Sequence, residues 1–131
     1  MEQRARGDSK VILLVEDNGI VRDYARLCME DEGFVVLSAG SAEQALAIFE
    51  TSAANIDLMV ADLNLPAMSG FQLAVHARHQ NPDVKILFVS GADSAAVAHS
   101  PALLDGNVDF LQKPYTSNAL ARAIGQLLPP K

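Results

Sequence analysis

Five short apolar runs punctuate this chain, and each is followed by a stretch with helical spacing. The runs are Lys10–Val15, Phe34–Leu37, Ile56–Val60, Val84–Val89 and Val108–Leu111. Their length and branched residues read as strands, and the first is apolar enough to be buried on both faces. Between them, Ile20–Glu32 places Val21, Tyr24, Ala25 and Cys28 at helical spacing, with Gly33 as its stop. Ser41-Ala42-Glu43-Gln44 has the form of a capping box ahead of Ala45, Leu46, Ile48 and Phe49. Phe71–His79 puts Phe71, Ala74 and Val75 on one face, and Asp93–Leu104 is a weaker helix because Pro101 interrupts it. Thr116–Leu128, capped by Thr116 or Ser117 and closed by Pro129-Pro130, is the last. Strands alternating with helices imply an α/β fold, a doubly wound five-stranded parallel sheet with five helices on both faces.

Parallel strands present all their C-terminal ends at one edge. Polar residues follow four of the runs: Glu16-Asp17, Asp62, Ser90 and Lys113. Two acids, an acid, a hydroxyl and an amine are therefore expected to converge, although they are far apart in sequence. An open α/β sheet binds its ligands at this edge. Asp62 opens the loop Asp62-Leu63-Asn64-Leu65-Pro66-Ala67-Met68-Ser69-Gly70, and with those neighbours it has the character of a phosphoryl acceptor.

The 131 residues fit one domain, 10–129, behind a loose polar tail at 1–9. Half are hydrophobic, enough for an ordinary core. The net charge of -6 argues against direct nucleic-acid binding, which needs a basic surface. Cys28 is alone, so neither an intrachain disulfide nor a cysteine metal site is possible, as suits a reducing compartment. No signal-peptide core and no run of membrane-spanning length is present. A cytoplasmic location without membrane insertion is expected.

Four motifs carry a resemblance: Val15-Glu16-Asp17-Asn18, the Asp62 loop with Pro66 and Gly70, Ser90-Gly91-Ala92, and Phe110-Leu111-Gln112-Lys113-Pro114-Tyr115. In this order, at these strand ends, the chain resembles the receiver domain of two-component response regulators, the CheY-like family, over roughly residues 10–128. The resemblance implies strand order 2-1-3-4-5 and a phosphoryl group taken from a phosphohistidine on a histidine kinase or histidine phosphotransfer protein.

Residue by residue, Asp62 matches the phosphoacceptor. A carboxylate oxygen can attack phosphorus in line. Two anions need a cation between them, and Mg²⁺ (or Mn²⁺) takes oxygen ligands. By resemblance Asp17 and Asp62 ligate it directly, Glu16 acts through bound water, and Asn64 offers its backbone carbonyl. Glu16-Asp17 can also cap the following helix. Lys113 suits a phosphoryl oxygen or, at rest, a carboxylate, and the family holds the Lys113-Pro114 bond cis. Ser90 offers a hydroxyl, and Ser90 with Phe110 forms the switch pair, in which the aromatic follows the Ser90 loop inward on phosphorylation. Phe110 lacks a phenol, so its switch is one of packing; a plain core role is the other reading.

His76 and His79 lie one helical turn apart without a third ligand and read as a solvated face. Ile20 and Leu27 exceed what the first helix needs for its core face and are expected toward solvent beside the acids, as part of a docking face for the phosphodonor, or else as scattered apolar residues. Pro101 argues against dimerisation through the fourth helix, so a monomer or weak dimer is expected. The chain stops after its last helix, so no DNA-binding domain is expected, and it reads as a stand-alone regulator or a hybrid-kinase receiver. Three alternatives remain. An aspartyl-phosphate phosphatase needs a general acid two residues after its nucleophile, where Asn64 stands. A flavodoxin-like carrier needs a phosphate loop where Glu16-Asp17 would repel phosphate. A degenerate scaffold would lack site residues that are present here.

Overall fold

The computed structural model describes residues 10–91 and 107–129. A five-stranded parallel sheet runs in the order β2-β1-β3-β4-β5. Its strands are β1 (Val11–Val15), β2 (Val35–Ala39), β3 (Leu58–Asp62), β4 (Lys85–Ser90) and β5 (Val108–Gln112). The helices are α1 (Gly19–Asp31), α2 (Ala42–Ser52), α3 (Gly70–Gln80) and α4 (Ser117–Leu127). The expected fold class and strand order are both found. The helix expected at Asp93–Leu104 lies outside the described residues, as do the 1–9 tail, Ala92 and His99.

Alternate residues of each central strand feed opposite faces, as a pleated strand requires. Leu13, Val15, Met59, Ala61, Ile86 and Phe88 pack with Ala45 and Phe49 of α2 and Leu73, Ala74 and Ala77 of α3. Ile12, Leu14, Leu58, Val60, Leu87 and Val89 pack with Ala25 and Met29 of α1 and Leu120, Ala123, Ile124 and Leu127 of α4. The sheet is thus covered on both sides, and β1 and β3 are buried almost throughout.

Local chemistry fixes the helix ends. Asn18 Oδ1 accepts the Val21 N–H at 3.0 Å and starts α1. Gly33, at φ 97°, ends it: its N–H donates to Glu30 O and that of Phe34 to Met29 O, the paired bonds of a Schellman motif. Ser41 caps α2 as expected, but Gln44 Oε1 accepts from the Gly40 N–H instead of closing the box on Ser41. The complete box stands at Ser69 and Gln72, at the start of α3. Thr116 caps α4.

Three expectations are corrected. β2 and β3 each lie further toward the C-terminus than the apolar runs suggest, after a 3-10 turn at Ala53–Asn55 in the case of β3. Asp62 is consequently the last residue of its strand. The buried face of α3 is Gly70, Leu73, Ala74 and Ala77, with Phe71 and Val75 only partly covered. On α1 the fully buried residues are Ala25 and Met29; Val21 and Cys28 are half-buried.

Candidate functional site at the C-terminal edge of the sheet

The order β2-β1-β3 means that the chain leaves β1 in one direction for β2 and returns past it to β3. The crevice beyond β1 and β3 is therefore the switch point, where such sheets bind ligands. Glu16, Asp17 and Asp62 converge there, with one oxygen from each within 4.8 Å of the others.

Glu16 directly follows β1, and its N–H donates to Ala39 O at 3.1 Å. Its carbonyl accepts from Arg22 Nη1 of α1 at 2.8 Å. With only 4% of its surface exposed, a charged Glu16 needs close partners. Asp62, 8% exposed, ends β3 and has the same need. The chain supplies both in one pattern. Glu16 Oε2 accepts the Asn18 N–H at 3.1 Å, and Asp62 Oδ1 accepts the Asn64 N–H at 2.9 Å. Lys113 Nζ then donates to Glu16 Oε1 at 2.9 Å and to Asp62 Oδ2 at 2.8 Å. Asp17, between them in sequence, is exposed.

Burial works against the Lys113 charge, but hydrogen bonds to Asp62 and Glu16 and the charges of both outweigh it, leaving its pKa above the ordinary 10.5. The ammonium is therefore firmly protonated at neutral pH. Its backbone N–H donates to Ser90 O at 2.9 Å, tying the end of β5 to that of β4, and the Lys113-Pro114 bond is cis. Ser90 is buried at the end of β4. Phe110 is half-buried, its ring stacked 5.4 Å from the buried Phe88. Tyr115 packs near Tyr24, and burial followed by the charge of Glu16 pushes its phenol up to about 12. An open groove of about 360 Å³, lined by Ile20, Val21, Tyr24, Lys113, Pro114 and Tyr115, runs beside the lysine.

The loop behind Asp62 is tightly closed. Gly70 N–H donates to Leu63 O at 3.0 Å, and a Cβ on Gly70 would come within 2.4 Å of Asp62 O. Met68 N–H donates to Pro66 O at 2.7 Å around Ala67, which holds φ 69°. His76 and His79 lie exposed on α3, away from these acids in sequence and element.

Sequence reasoning did not find Arg22, or the Asn18 and Asn64 amides as carboxylate donors. Main-chain amides leave no residue-type signal. Arg22 does lie on the α1 turn that follows the acids, a position from which a long cation can fold back.

The response regulator receiver domain model matches residues 12–125. The chain belongs to that family. Among curated relatives, the sensor kinase CckA of Brucella abortus is 36% identical over 121 residues, covering 92% of this chain and 13% of that protein. The alginate biosynthesis transcriptional regulatory protein AlgB of Pseudomonas aeruginosa is 32% identical, covering 98% of this chain and 28% of that protein. This receiver thus spans only a small part of the length of either. The crystal structure of the receiver domain of the hybrid histidine kinase CckA matches with a TM-score of 0.77 and 33% identity, over 90% of this chain and 98% of that one. A response regulator receiver protein of Sinorhizobium medicae matches with a TM-score of 0.80 and 31% identity, over 92% and 95%. The receiver is a module of two-component signalling. Among the described residues, no helix is long and apolar enough to cross a membrane.

Proposed function

We propose that Asp62 is the phosphoacceptor of a two-component phosphorelay, taking its phosphoryl group from a phosphohistidine on a histidine kinase or histidine phosphotransfer protein in the cytoplasm. The observation that carries this reading is the Asp62 carboxylate, at the crevice edge, bonded to Lys113 and grouped with two further acids. In the transfer, an Asp62 oxygen forms a bond to phosphorus as the phosphorus–nitrogen bond of the donor breaks, and the departing imidazole keeps the electron pair. Lys113 then follows the negative charge onto a phosphoryl oxygen, and Ser90 turns its hydroxyl to another.

Three carboxylates with oxygens this close fit a hard divalent cation such as Mg²⁺ or Mn²⁺. Asp17 and Asp62 would hold it, with Asn64 offering its backbone carbonyl and Glu16 as the third acid of the cluster. When bound, the ion screens the repulsion between the acids and the phosphoryl oxygens. The message passes on as a change of packing in which Ser90 moves toward the phosphoryl group and Phe110 leaves its stack on Phe88. Ile20, 83% exposed, and Leu27, 58% exposed, belong to the face on which the phosphodonor docks.

The decisive experiment is incubation with acetyl phosphate and Mg²⁺ followed by intact mass. A gain of one phosphoryl group, absent from Asp62→Asn and suppressed by a chelator, is expected. Equal labelling of Asp62→Asn would overturn the assignment.

A further inference from the structure

Two peptide groups flank the Cα of Asp17, and their planes decide where its carboxylate stands. The one shared with Asn18 is held by its N–H, which donates to Glu16 Oε2 at 3.1 Å. The one shared with Glu16 is held by its carbonyl, which accepts from Arg22 Nη1 at 2.8 Å. Asp17 itself is exposed, and among the described residues its carboxylate has no hydrogen-bond partner. Its backbone therefore places it, and one of its oxygens stands within 4.8 Å of those of Glu16 and Asp62.

Arg22 reaches the Glu16 carbonyl from near the start of α1, its side chain lying back toward the N-terminus as helical side chains do. Its own N–H donates to Asn18 O at 2.8 Å, so backbone and side chain bracket the acidic turn. The guanidinium also rests against the neighbouring loop. A Cβ on Gly40, just after β2, would lie 3.2 Å from Arg22 Nη1 and 3.8 Å from its Cζ. Gly40 is fixed in turn by its N–H, which donates to Gln44 Oε1 of α2 at 2.6 Å. The ladder from β1 to β2 closes with the Glu16 N–H on Ala39 O, and Arg22 takes the next carbonyl in line.

We propose that Arg22 is a positioning residue for Asp17: it clamps the peptide between Glu16 and Asp17 to the loop after β2, and so sets the geometry in which the acids receive a divalent cation. The inference rests on the reading of the acid cluster as the cation site. Arg22 has the wrong charge to aid that ion through its field, since one cation repels another. It helps through the backbone it holds, and the sign of its effect separates the two. Glycine at position 40 serves the clamp by leaving the guanidinium its place.

The test is Mg²⁺ affinity, measured by calorimetry on the unphosphorylated chain in Arg22→Met, Gly40→Val and the pair. Urea denaturation of each variant establishes that folded protein is being read. Arg22→Met keeps the apolar stem and loses the donors; it should bind Mg²⁺ about tenfold more weakly, the lower end of what a support behind a metal ligand contributes. Gly40→Val, whose branched side chain takes the place of the guanidinium, should weaken binding in the same direction. In the Arg22→Met background it should cost nothing more. Labelling of Asp62 by acetyl phosphate should need about tenfold more Mg²⁺ to reach half its maximal rate, with that maximum largely kept. A spectroscopic readout needs no ion. The amide ¹⁵N of Asp17 belongs to the peptide whose carbonyl Arg22 holds, so its signal should shift in Arg22→Met while that of Asn64 stays. Tighter or unchanged Mg²⁺ binding in Arg22→Met, an equal cost of Gly40→Val in both backgrounds, or an unmoved Asp17 signal would each overturn the inference. No Mg²⁺ binding by the unmutated chain would instead overturn the reading of the cluster beneath it, and this inference with it.

Discussion

The loops after β1 and β3 solve the same problem with very different amounts of chain. Each must turn away from the sheet while leaving a buried carboxylate at its edge. The first does so in three residues, Glu16 to Asn18, and passes straight into α1 through the Asn18 cap. The second runs from Leu63 to Ser69 and folds back on itself, with Gly70 against the backbone of Asp62 and Ala67 at φ 69°. The short loop has no residue at positive φ; the long one holds the proposed nucleophile in a turn that admits few side chains. Mutations that leave the first loop intact should therefore disturb the second.

The largest expected effect is Gly70→Ala. Its Cβ would meet Asp62 O at 2.4 Å and Leu63 Cα at 2.9 Å, so backbone must move, not a flexible side-chain tip. A loss of about 3 kcal/mol is expected in urea denaturation, at the upper end for overpacking. Labelling of Asp62 should fall with it. A variant as stable as the parent would show that the long loop yields as easily as the short one.

The next test acts on both loops through the cation they share. Lys113 has a folded pKa above its unfolded 10.5, so its contribution is complete below about pH 10.5 and is lost as pH rises through the folded value. Tyr115 adds to the same trend, because its phenol ionises near 10 when unfolded and at about 12 when folded, which favours the unfolded chain between those values. Denaturation midpoints should thus fall above pH 10. In a Tyr115→Phe background, Lys113→Met should flatten what remains of the slope; an unaltered slope would mean the ammonium ties neither loop down.

Smaller and of one size are the caps. Asn18→Ala removes the side-chain acceptor of the Val21 N–H but leaves the amide that serves Glu16, so a loss of about 1 kcal/mol is expected with labelling largely kept. Smaller still, and of opposite sign, Ala67→Gly should stabilise by about 0.5 kcal/mol, because glycine takes positive φ without the steric cost that alanine bears. Destabilisation by Ala67→Gly would mean the turn is not strained.

The contrast between the loops also marks what was legible in the sequence. Strand and helix order were plain, because buried parallel strands are continuous apolar runs and the helices carry their caps. The edges of β2 and β3 were not. Ser38 belongs to β2 through its register with Leu14, a partner that composition does not announce. Ile56 is buried yet precedes β3, because Asp57 turns its carboxylate to the Val11 N–H at 2.8 Å and starts the ladder there. At the site, the acids and the lysine were readable as strand-end residues. The contact between Glu16 and Lys113, 97 positions apart, was not, since it depends on how far each side chain reaches across the crevice. Nor was the close approach of Gly70, which is a property of two backbones and leaves only a glycine as its trace.

The smallest effect on the fold should come from Ile20→Asp. Ile20 lies on the first turn of α1, where the short loop delivers the chain, and its side chain rests on nothing that the fold needs. A surface change of this kind moves stability by no more than about 0.5 kcal/mol. A new charge there would nonetheless stand at the mouth of the apolar groove beside Lys113. Labelling by acetyl phosphate, which needs no docking, should persist, while transfer from a phosphorylated histidine phosphotransfer protein should slow. Equal rates with both donors would remove Ile20 from the docking face. The short loop would then be left with its carboxylates alone, and the exposed apolar residues of α1 would be no more than ordinary surface.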